Sequence, residues 1–167
     1  MLHPRHLFTT LLLVLFLIPS LPADAEEIKI DGVLDEALWS SAREWTEYFE
    51  SIPFSLAEPK HAQKVLILED EKGMYFGFIN EQPRETIRAN QHQRDNERAN
   101  ADRAGVSIDF DGDGLTAYGF SVSAGGSISD SIYRNENQGN TDWDADWDSA
   151  THIEGDAWFL EMFIPWS

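Results

Sequence analysis

The fold of this chain is decided by residues Gly105–Asp130, which read GVSIDF, DGDGL and TAYGFSVSAGGSISD in succession. In each half, apolar side chains alternate with small or polar ones: Val106, Ile108 and Phe110 in the first, Tyr118, Phe120 and Val122 in the second. A period of two is typical of half-buried β-strands. If Ile108 lies opposite Tyr118 in an antiparallel pair, both apolar sets share one face, whereas a one-residue slip would turn one set into solvent. The pattern therefore predicts a hairpin whose turn is the acidic, glycine-rich segment Asp111–Leu115.

Strand and turn signals continue on both sides of this hairpin. The pair Gly125-Gly126 predicts a bend into a third strand, Ser127–Tyr133. Apolar runs predict four more strands, at Glu26–Gly32, Val65–Leu68, Met74–Ile79 and Ala157–Ile164. Helical spacing after Asp35 predicts one short helix from Glu36, with Trp39 in the core. Many short strands, close turn signals and little helix predict an all-β fold, an antiparallel β-sandwich of the immunoglobulin-like or jelly-roll-like kind.

The last predicted strand stands at the very end of the sequence. The chain stops at Pro165-Trp166-Ser167, directly after Ile164. A β-sandwich normally supplies a partner for such a strand. We therefore expect that the C-terminal strands of the sandwich are missing and that the chain is a fragment of a larger protein.

The first 25 residues have the organisation of a secretory signal peptide. Arg5 precedes the apolar run Leu7–Ile18, Pro19 breaks that run, and Ala23-Asp24-Ala25 offers small residues for cleavage. The run is shorter than the roughly 20 residues that a membrane-spanning helix needs. We therefore expect an exported protein, periplasmic, associated with the outer membrane or extracellular, in which residues 26–167 form one domain.

The charge and the cysteine count exclude several classes of function. Acidic residues outnumber basic ones by 30 to 12, and the formal net charge of −18 is unchanged by signal cleavage, which removes one arginine and one aspartate. Such a surface repels phosphate, which excludes nucleic acids and anionic membranes as partners but suits cations and neutral sugars. There is no cysteine, so neither a disulfide nor a thiol nucleophile is present.

The predicted hairpin turn contains a candidate metal site. Asp109, Asp111 and Asp113 alternate and are followed by Gly114, which matches the first half of a calcium-binding loop. The twelfth position of such a loop, normally glutamate, is Phe120 here, so the segment is not an EF-hand. Two interpretations stay open: a calcium site, or an acidic turn built on aspartate side-chain hydrogen bonds.

A second candidate site is the run Asp142–Asp148, which reads DWDADWD. At strand period, Trp143 and Trp147 share one face and the aspartates share the other. Flat aromatic rings and carboxylates are what sugar binding requires, which makes Trp143, Asp144 and Trp147 candidate carbohydrate contacts. The alternative is that the tryptophans belong to the core and the acids face solvent.

The polar loop Pro83–Ala101, which we call the polar excursion, contributes Arg94 as a candidate. Arg94 serves either as a clamp for a sugar hydroxyl or in an ion pair with Asp95 or Asp102 that shapes the loop.

No catalytic site is predicted. The sequence has no G-x-S-x-G elbow, and its histidines lack the spacing of a zinc site. Paired carboxylates are too abundant to assign an acid and a base.

Taken in order, several motifs resemble one family. They are Ile28-Lys29-Ile30-Asp31-Gly32 with Leu34-Asp35-Glu36 and Trp39, then Met74–Gly77, Asp102–Asp109, Tyr118–Phe120, Trp143-x-Ala145-x-Trp147 and Glu161-x-x-Ile164-Pro165-Trp166. The mature chain resembles the family 9 carbohydrate-binding modules and related DOMON-like sandwiches, as found at the N-terminus of secreted proteins with a C-terminal outer-membrane β-barrel. The resemblance implies a β-sandwich, often calcium-bearing, that binds oligosaccharide or polysaccharide without cleaving it. Of the two tryptophans that clamp sugar in that family, one falls near Ala99 and the other beyond Ser167.

Two hypotheses for the function follow. The first is a non-catalytic carbohydrate-binding module of a secreted or cell-envelope protein, stabilised by calcium. The alternative is a structural module at the N-terminus of an outer-membrane β-barrel protein, with no sugar binding. Haem binding, known among DOMON relatives, lacks a persuasive pair of axial ligands, since Met74, Met162 and the scattered histidines suggest none.

Overall fold

The computed structural model describes residues 27–96, 98–135 and 138–166. The predicted signal peptide, residues 1–25, lies outside them. Nine strands and two short 3-10 helices (Ala37–Ser41 and Arg84–Thr86) are found in the described part. The strands are β1 (Arg43–Trp45), β2 (Gln63–Glu69), β3 (Gly73–Glu81), β4 (Arg103–Ile108), β5 (Thr116–Ser123), β6 (Ile128–Arg134), β7 (Gln138–Asn140), β8 (Asp148–Glu154) and β9 (Ala157–Pro165). Neither of these helices is long and apolar enough to cross a membrane.

The strands form two antiparallel sheets that pack as a β-sandwich, which confirms the predicted fold class. One sheet has five strands in the order β1-β2-β3-β9-β8, and the other has four in the order β4-β5-β6-β7. Every strand pair but one joins strands that are consecutive in the sequence. The exception is the pair of β3 with β9, which joins distant parts of the sequence. The five-stranded sheet therefore depends on a non-local pairing at its centre.

The predicted hairpin is confirmed in its register. Ile108 lies opposite Tyr118, and Val106 lies opposite Phe120. The connection is longer than predicted, because β4 ends at Ile108 and β5 begins only at Thr116. Phe110 therefore lies in the connection, where its side chain is 46% exposed instead of continuing the buried face.

The main core lies between the two sheets. Leu160 and Met162 of β9 are fully buried, and Phe120 and Val122 of the facing sheet are almost so. Burying each such side chain contributes about 1.5–3 kcal/mol. Half-buried Trp143 is one of several side chains that pack around the margin of this core.

A second, smaller core lies on the outer face of the five-stranded sheet, under the N-terminal segment. Ile28 and Trp39 pack there against Leu66 and Tyr75. The strand predicted at Glu26–Gly32 is not formed in its described part, residues 27–32. The predicted helix is a single 3-10 segment, Ala37–Ser41, without a side-chain cap.

A buried carboxylate explains why the N-terminal segment turns instead of pairing as a strand. Glu161 of β9 is fully buried, and its Oε2 accepts hydrogen bonds from the backbone N–H groups of Asp31 at 2.9 Å and Gly32 at 2.8 Å. Its Oε1 accepts one from Trp39 Nε1 at 3.2 Å. Opposite Glu161, a Cβ at Gly77 would lie 2.5 Å from Leu34 Cδ2, so glycine leaves the space that the segment fills. Burial raises the pKa of Glu161 above its ordinary value, although the two backbone amides oppose this.

Candidate functional site

The tryptophan-rich segment, residues 142–147, is not a strand, although its alternation predicts one. Of the run Asp142–Asp148, only Asp148 belongs to a strand, β8. The two-sided character is nevertheless present: Trp143 and Trp147 are half-buried against the main core, while Asp144 is exposed. The alternation therefore arises from a segment that lies along the margin of the sandwich with one side inward.

Asp130 of β6 holds this segment in place. It is 1% exposed, and its Oδ2 accepts hydrogen bonds from the backbone N–H of Ala145 at 2.6 Å and from Trp147 Nε1 at 3.3 Å. These contacts replace the backbone ladder that a strand would have. Trp147 Nε1 therefore points into the protein, where its hydrogen bond is made.

The same carboxylate is the main partner of Arg94. Arg94 Nη2 donates to both oxygens of Asp130 at 2.8 Å, and Arg94 Nε donates to Asp130 Oδ1 at 3.1 Å. Arg94 also forms ion pairs in which Nε lies 2.8 Å from Asp144 Oδ1 and 3.8 Å from Asp95 Oδ2. Burial lowers the pKa of Arg94, but hydrogen bonds and the charge of Asp130 outweigh it and raise the pKa overall. The guanidinium thus joins the polar excursion to β6 and orients Asp144.

Asp102, the other partner considered for Arg94, belongs to a separate ion pair. Its Oδ1 accepts from Arg88 Nη2 at 2.6 Å and Nε at 3.0 Å. Burial raises the pKa of Asp102, but the hydrogen bonds from Arg88 outweigh it and hold the pKa below its ordinary value. The excursion is therefore anchored twice, through Arg88 and through Arg94.

An open cleft of about 410 Å³ lies beside this segment, between the ends of the two sheets. We call it the aromatic cleft; its lining includes Phe110, Tyr118, Trp143, Asp144, Asp146 and Trp166. The rings of Tyr118 and Trp143 are 5.1 Å apart, and those of Phe110 and Trp166 are 6.4 Å apart in an edge-to-face arrangement. Aromatic rings and two carboxylates therefore meet at one accessible place.

Two residues of the aromatic cleft were missed by sequence reasoning. Phe110 and Trp166 are each 46% exposed, so both present ring surface to solvent. Trp166 Nε1 donates to the backbone oxygen of Asp70 at 2.8 Å, which fixes the orientation of its ring. The available signals were the position of Phe110 at the end of an alternating run and of Trp166 after the last strand.

The carboxylates of the β4–β5 connection are used within the connection itself. Asp109 Oδ1 accepts from the backbone N–H of Gly112 at 2.8 Å, and its Oδ2 accepts from that of Gly114 at 2.7 Å. Both glycines have positive φ, as this turn requires. Asp113 accepts from the N–H of Leu115 at 2.8 Å. This is the pattern of the acidic turn; Asp111 keeps an exposed carboxylate that could serve a cation, whereas Asp109 would have to share its oxygens with the backbone.

Another group of acids lies around Arg94. Carboxylate oxygens of Asp95, Asp130 and Asp144 lie within 4.8 Å of one another. The guanidinium of Arg94 already supplies a positive charge at the centre of this group. The cluster is therefore an internal ion-pair network.

Comparison with known proteins gives a likeness of fold. No family model matches the chain, and no curated protein matches it in sequence. Among solved structures, it is similar to a carbohydrate-binding module of family 9 from Caldicellulosiruptor kristjanssonii, in complex with cellotriose, with a TM-score of 0.57 and 16% identity. The match covers 84% of this chain but 64% of that one, so this chain spans less than two thirds of that module's length. The chain therefore has the β-sandwich fold of a family 9 carbohydrate-binding module.

Proposed function

We propose that this chain is a non-catalytic carbohydrate-binding module and that sugar binds in the aromatic cleft. The observation that carries the proposal is the meeting of aromatic rings and exposed carboxylates in one open cleft of about 410 Å³. The likeness of fold to a module in complex with cellotriose supports the same class of ligand.

The chemistry of the aromatic cleft suits a neutral sugar. The apolar face of a pyranose ring stacks on flat aromatic side chains such as Trp143 and Trp166, while carboxylates accept hydrogen bonds from its hydroxyls. Asp144 is well placed for the second role, because its side chain is 67% exposed and its orientation is fixed by Arg94. A formal charge of −18 disfavours acidic glycans.

The four residues predicted to contact sugar thus divide into two roles. Trp143 and Asp144 line the aromatic cleft and are proposed as contacts. Arg94 and Trp147 both bond to Asp130 behind the cleft, so we assign them to positioning. Residues Asp109, Asp111 and Asp113 are proposed to hold a stabilising calcium ion, and the protein is proposed to be exported.

Affinity electrophoresis through gels containing cellulose derivatives, xylan or mannan tests the function. The wild-type protein is expected to be retarded on at least one polysaccharide. Trp166→Ala is expected to abolish most of the retardation, because it removes an exposed stacking surface. Phe54→Ala is the matched control, since Phe54 is 80% exposed but does not line the aromatic cleft. Equal migration with and without every polysaccharide would contradict the proposal.

A second candidate is a structural module of a larger envelope protein, such as one with an outer-membrane β-barrel. One observation favours it: the loop before β2 exposes four large apolar side chains, Phe49, Ile52, Phe54 and Leu56. Exposed apolar clusters of this kind often mark protein contacts. In that case, Phe54→Ala in the full-length protein would weaken assembly while Trp166→Ala would leave it intact.

A further inference from the structure

A closed turn before β2 projects from the sandwich. It consists of residues 50–57, which we call the finger. The backbone N–H of Glu50 donates to the Ala57 oxygen at 2.9 Å, and that of Leu56 donates to the Glu50 oxygen at 3.1 Å. The Ser55 hydroxyl also donates to the Glu50 carboxylate. The finger is therefore already ordered, so that little conformational entropy is lost when it binds.

The finger and the residue before it expose large apolar side chains. Ile52 is 90% exposed and Phe54 is 80% exposed, and more than half of Phe49 and of Leu56 is exposed. At about 200 Å² for a large side chain, the four present roughly 600 Å² of apolar surface. This is at the upper end of what a monomer normally leaves in contact with water, which indicates an interaction surface.

An open recess of about 600 Å³ adjoins the finger. Its apolar walls are formed by Tyr48, Phe49, Pro59 and Ile79. Phe49 is exposed and also forms part of the wall, so the projecting patch and the recess are one continuous surface. The volume lies within the range of about 300–1,000 Å³ that is typical of pockets for sizeable ligands, which is sufficient for an inserted apolar side chain.

The charges around this surface have both signs, although the chain as a whole is strongly acidic. Glu47 and Glu58 border the recess, together with Lys64. Lys60 is exposed and follows the wall residue Pro59 directly. Two copies of this surface can therefore place lysine against glutamate when they face each other, which favours a partner with the same mixture of charges.

We propose that the finger and the recess form a two-fold interface between two copies of this chain, in which the finger of each copy enters the recess of the other. A two-fold interface uses the same patch on both copies, so that patch needs both a projection and a recess, as this surface has. The roughly 600 Å² of the exposed side chains, together with the recess walls, approaches the about 800 Å² per partner of a standard interface. The proposal is independent of sugar binding.

Strand β3 separates this surface from the aromatic cleft. Ile79 and Glu81, at the end of β3, line the recess. Gly73, at the start of β3, follows the turn in which the Asp70 oxygen accepts a hydrogen bond from Trp166. At about 3.3 Å per residue, the length of β3 places the two sites roughly 25 Å apart. A dimer formed through the finger therefore leaves both aromatic clefts open, and Trp166→Ala is expected to dimerise as wild type does.

Sedimentation equilibrium of the purified protein over a range of concentrations tests the proposal. The expected result is a dimer that dissociates on dilution. Because the net charge of −18 makes the two copies repel each other, the dimer is expected to be tighter at about 0.5 M sodium chloride than at low salt. A monomer under all of these conditions would overturn the proposal, and the finger would then remain a contact for a larger envelope protein.

Leu56→Asp and Leu115→Asp are matched variants that locate the interface. The two leucines are 57% and 62% exposed, and each variant adds the same charge, but only Leu56 belongs to the finger. Leu56→Asp places a charge in the interface twice, once from each copy, and is expected to raise the dissociation constant of the dimer at least about tenfold. Leu115→Asp should leave it near the wild-type value. Equal dissociation constants for the two variants would show that the dimer uses another face.

Cross-linking tests the arrangement without disturbing the apolar side chains. Because the chain has no cysteine, introduced cysteines are the only thiols present. Ser51 in the finger and Ala62 in the recess wall are both exposed. A mixture of Ser51→Cys and Ala62→Cys proteins is expected to form mixed dimers with a short bifunctional maleimide, faster than a mixture of Ser51→Cys and Leu115→Cys. The same rate for both mixtures would contradict insertion of the finger into the recess.

Discussion

At the scale of single residues, Glu161 explains why the Asp31-Gly32 turn and Trp39 recur together with it. From the sequence, this set of residues could only be matched to a family. The Asp31-Gly32 turn and Trp39 are far from Glu161 in sequence, yet all three meet at one carboxylate. Period-two patterns place Glu161 in a strand, but they do not reveal that an acid on its outer face is covered. The partner of Arg94 was missed for a similar reason, because Asp130 lies 36 residues away.

Replacing Glu161 with glutamine is expected to lower the free energy of unfolding by about 2–3 kcal/mol. The amide nitrogen cannot accept the hydrogen bonds that Oε2 accepts from two backbone amides, and a backbone N–H left without an acceptor in a buried place is costly. Urea denaturation measures the change. Glu154→Gln, an exposed acid in β8, is the control and should change the stability by less than about 0.5 kcal/mol.

The stability of wild type relative to Glu161→Gln should depend on pH. Because burial raises the pKa of Glu161, the folded state binds this proton more tightly than the unfolded state. The associated stability is complete below the ordinary pKa and is lost as pH rises through the raised one. The difference between the two proteins, from denaturation at a series of pH values, is therefore expected to shrink from acidic to neutral pH; a growing difference would contradict this.

At the scale of elements, strands were predicted well from the sequence where the pattern of apolar residues belongs to a segment that pairs within a sheet. The apolar runs that predicted β2, β3 and β9 lie in strands whose two faces each pack against a core, whereas the hairpin β4–β5 follows the alternation that one buried face imposes. The segment 142–147 shows the same periodicity without pairing, because Asp130 and the core margin orient it instead. Local alternation therefore identifies the buried side of a segment but not its hydrogen-bond partners.

The β4–β5 connection provides a test for calcium. Calcium that binds the folded state raises the melting temperature by mass action, and Asp111→Ala is expected to reduce that gain because it removes an exposed carboxylate of the connection. Thermal unfolding with calcium and with chelator measures the effect. Glu71→Ala, in the exposed β2–β3 turn, should retain the full gain. Identical melting curves under both conditions would dispose of the calcium proposal.

At the scale of the whole molecule, composition and periodicity were sufficient for the fold class but not for the binding surface. The β-sandwich follows from many short alternating strands, and it has the fold of the family 9 module. The aromatic cleft depends on how the β4–β5 connection and the end of β9 bring Phe110 and Trp166 together. That contact joins residues 56 positions apart, which no local pattern encodes.

The large negative charge leads to a prediction for binding as a whole. A neutral sugar held by stacking and hydrogen bonds should bind equally well at low salt and at about 0.5 M sodium chloride, whereas charge-driven association weakens as the screening length falls. Affinity electrophoresis or calorimetry at two salt concentrations measures this. A steep loss of affinity with salt would indicate a cationic ligand in place of a neutral glycan.

The tether between Glu161 and the Asp31-Gly32 turn spans 129 to 130 residues of sequence. During synthesis, the Asp31-Gly32 turn has no acceptor for these two amides until β9 has emerged and paired with β3. The segment around Asp31-Gly32 is synthesised well before β9 but can dock only after β9 has paired. Until then, the outer face of the five-stranded sheet stays uncovered. A chaperone that shields apolar surface would find its substrate in that interval.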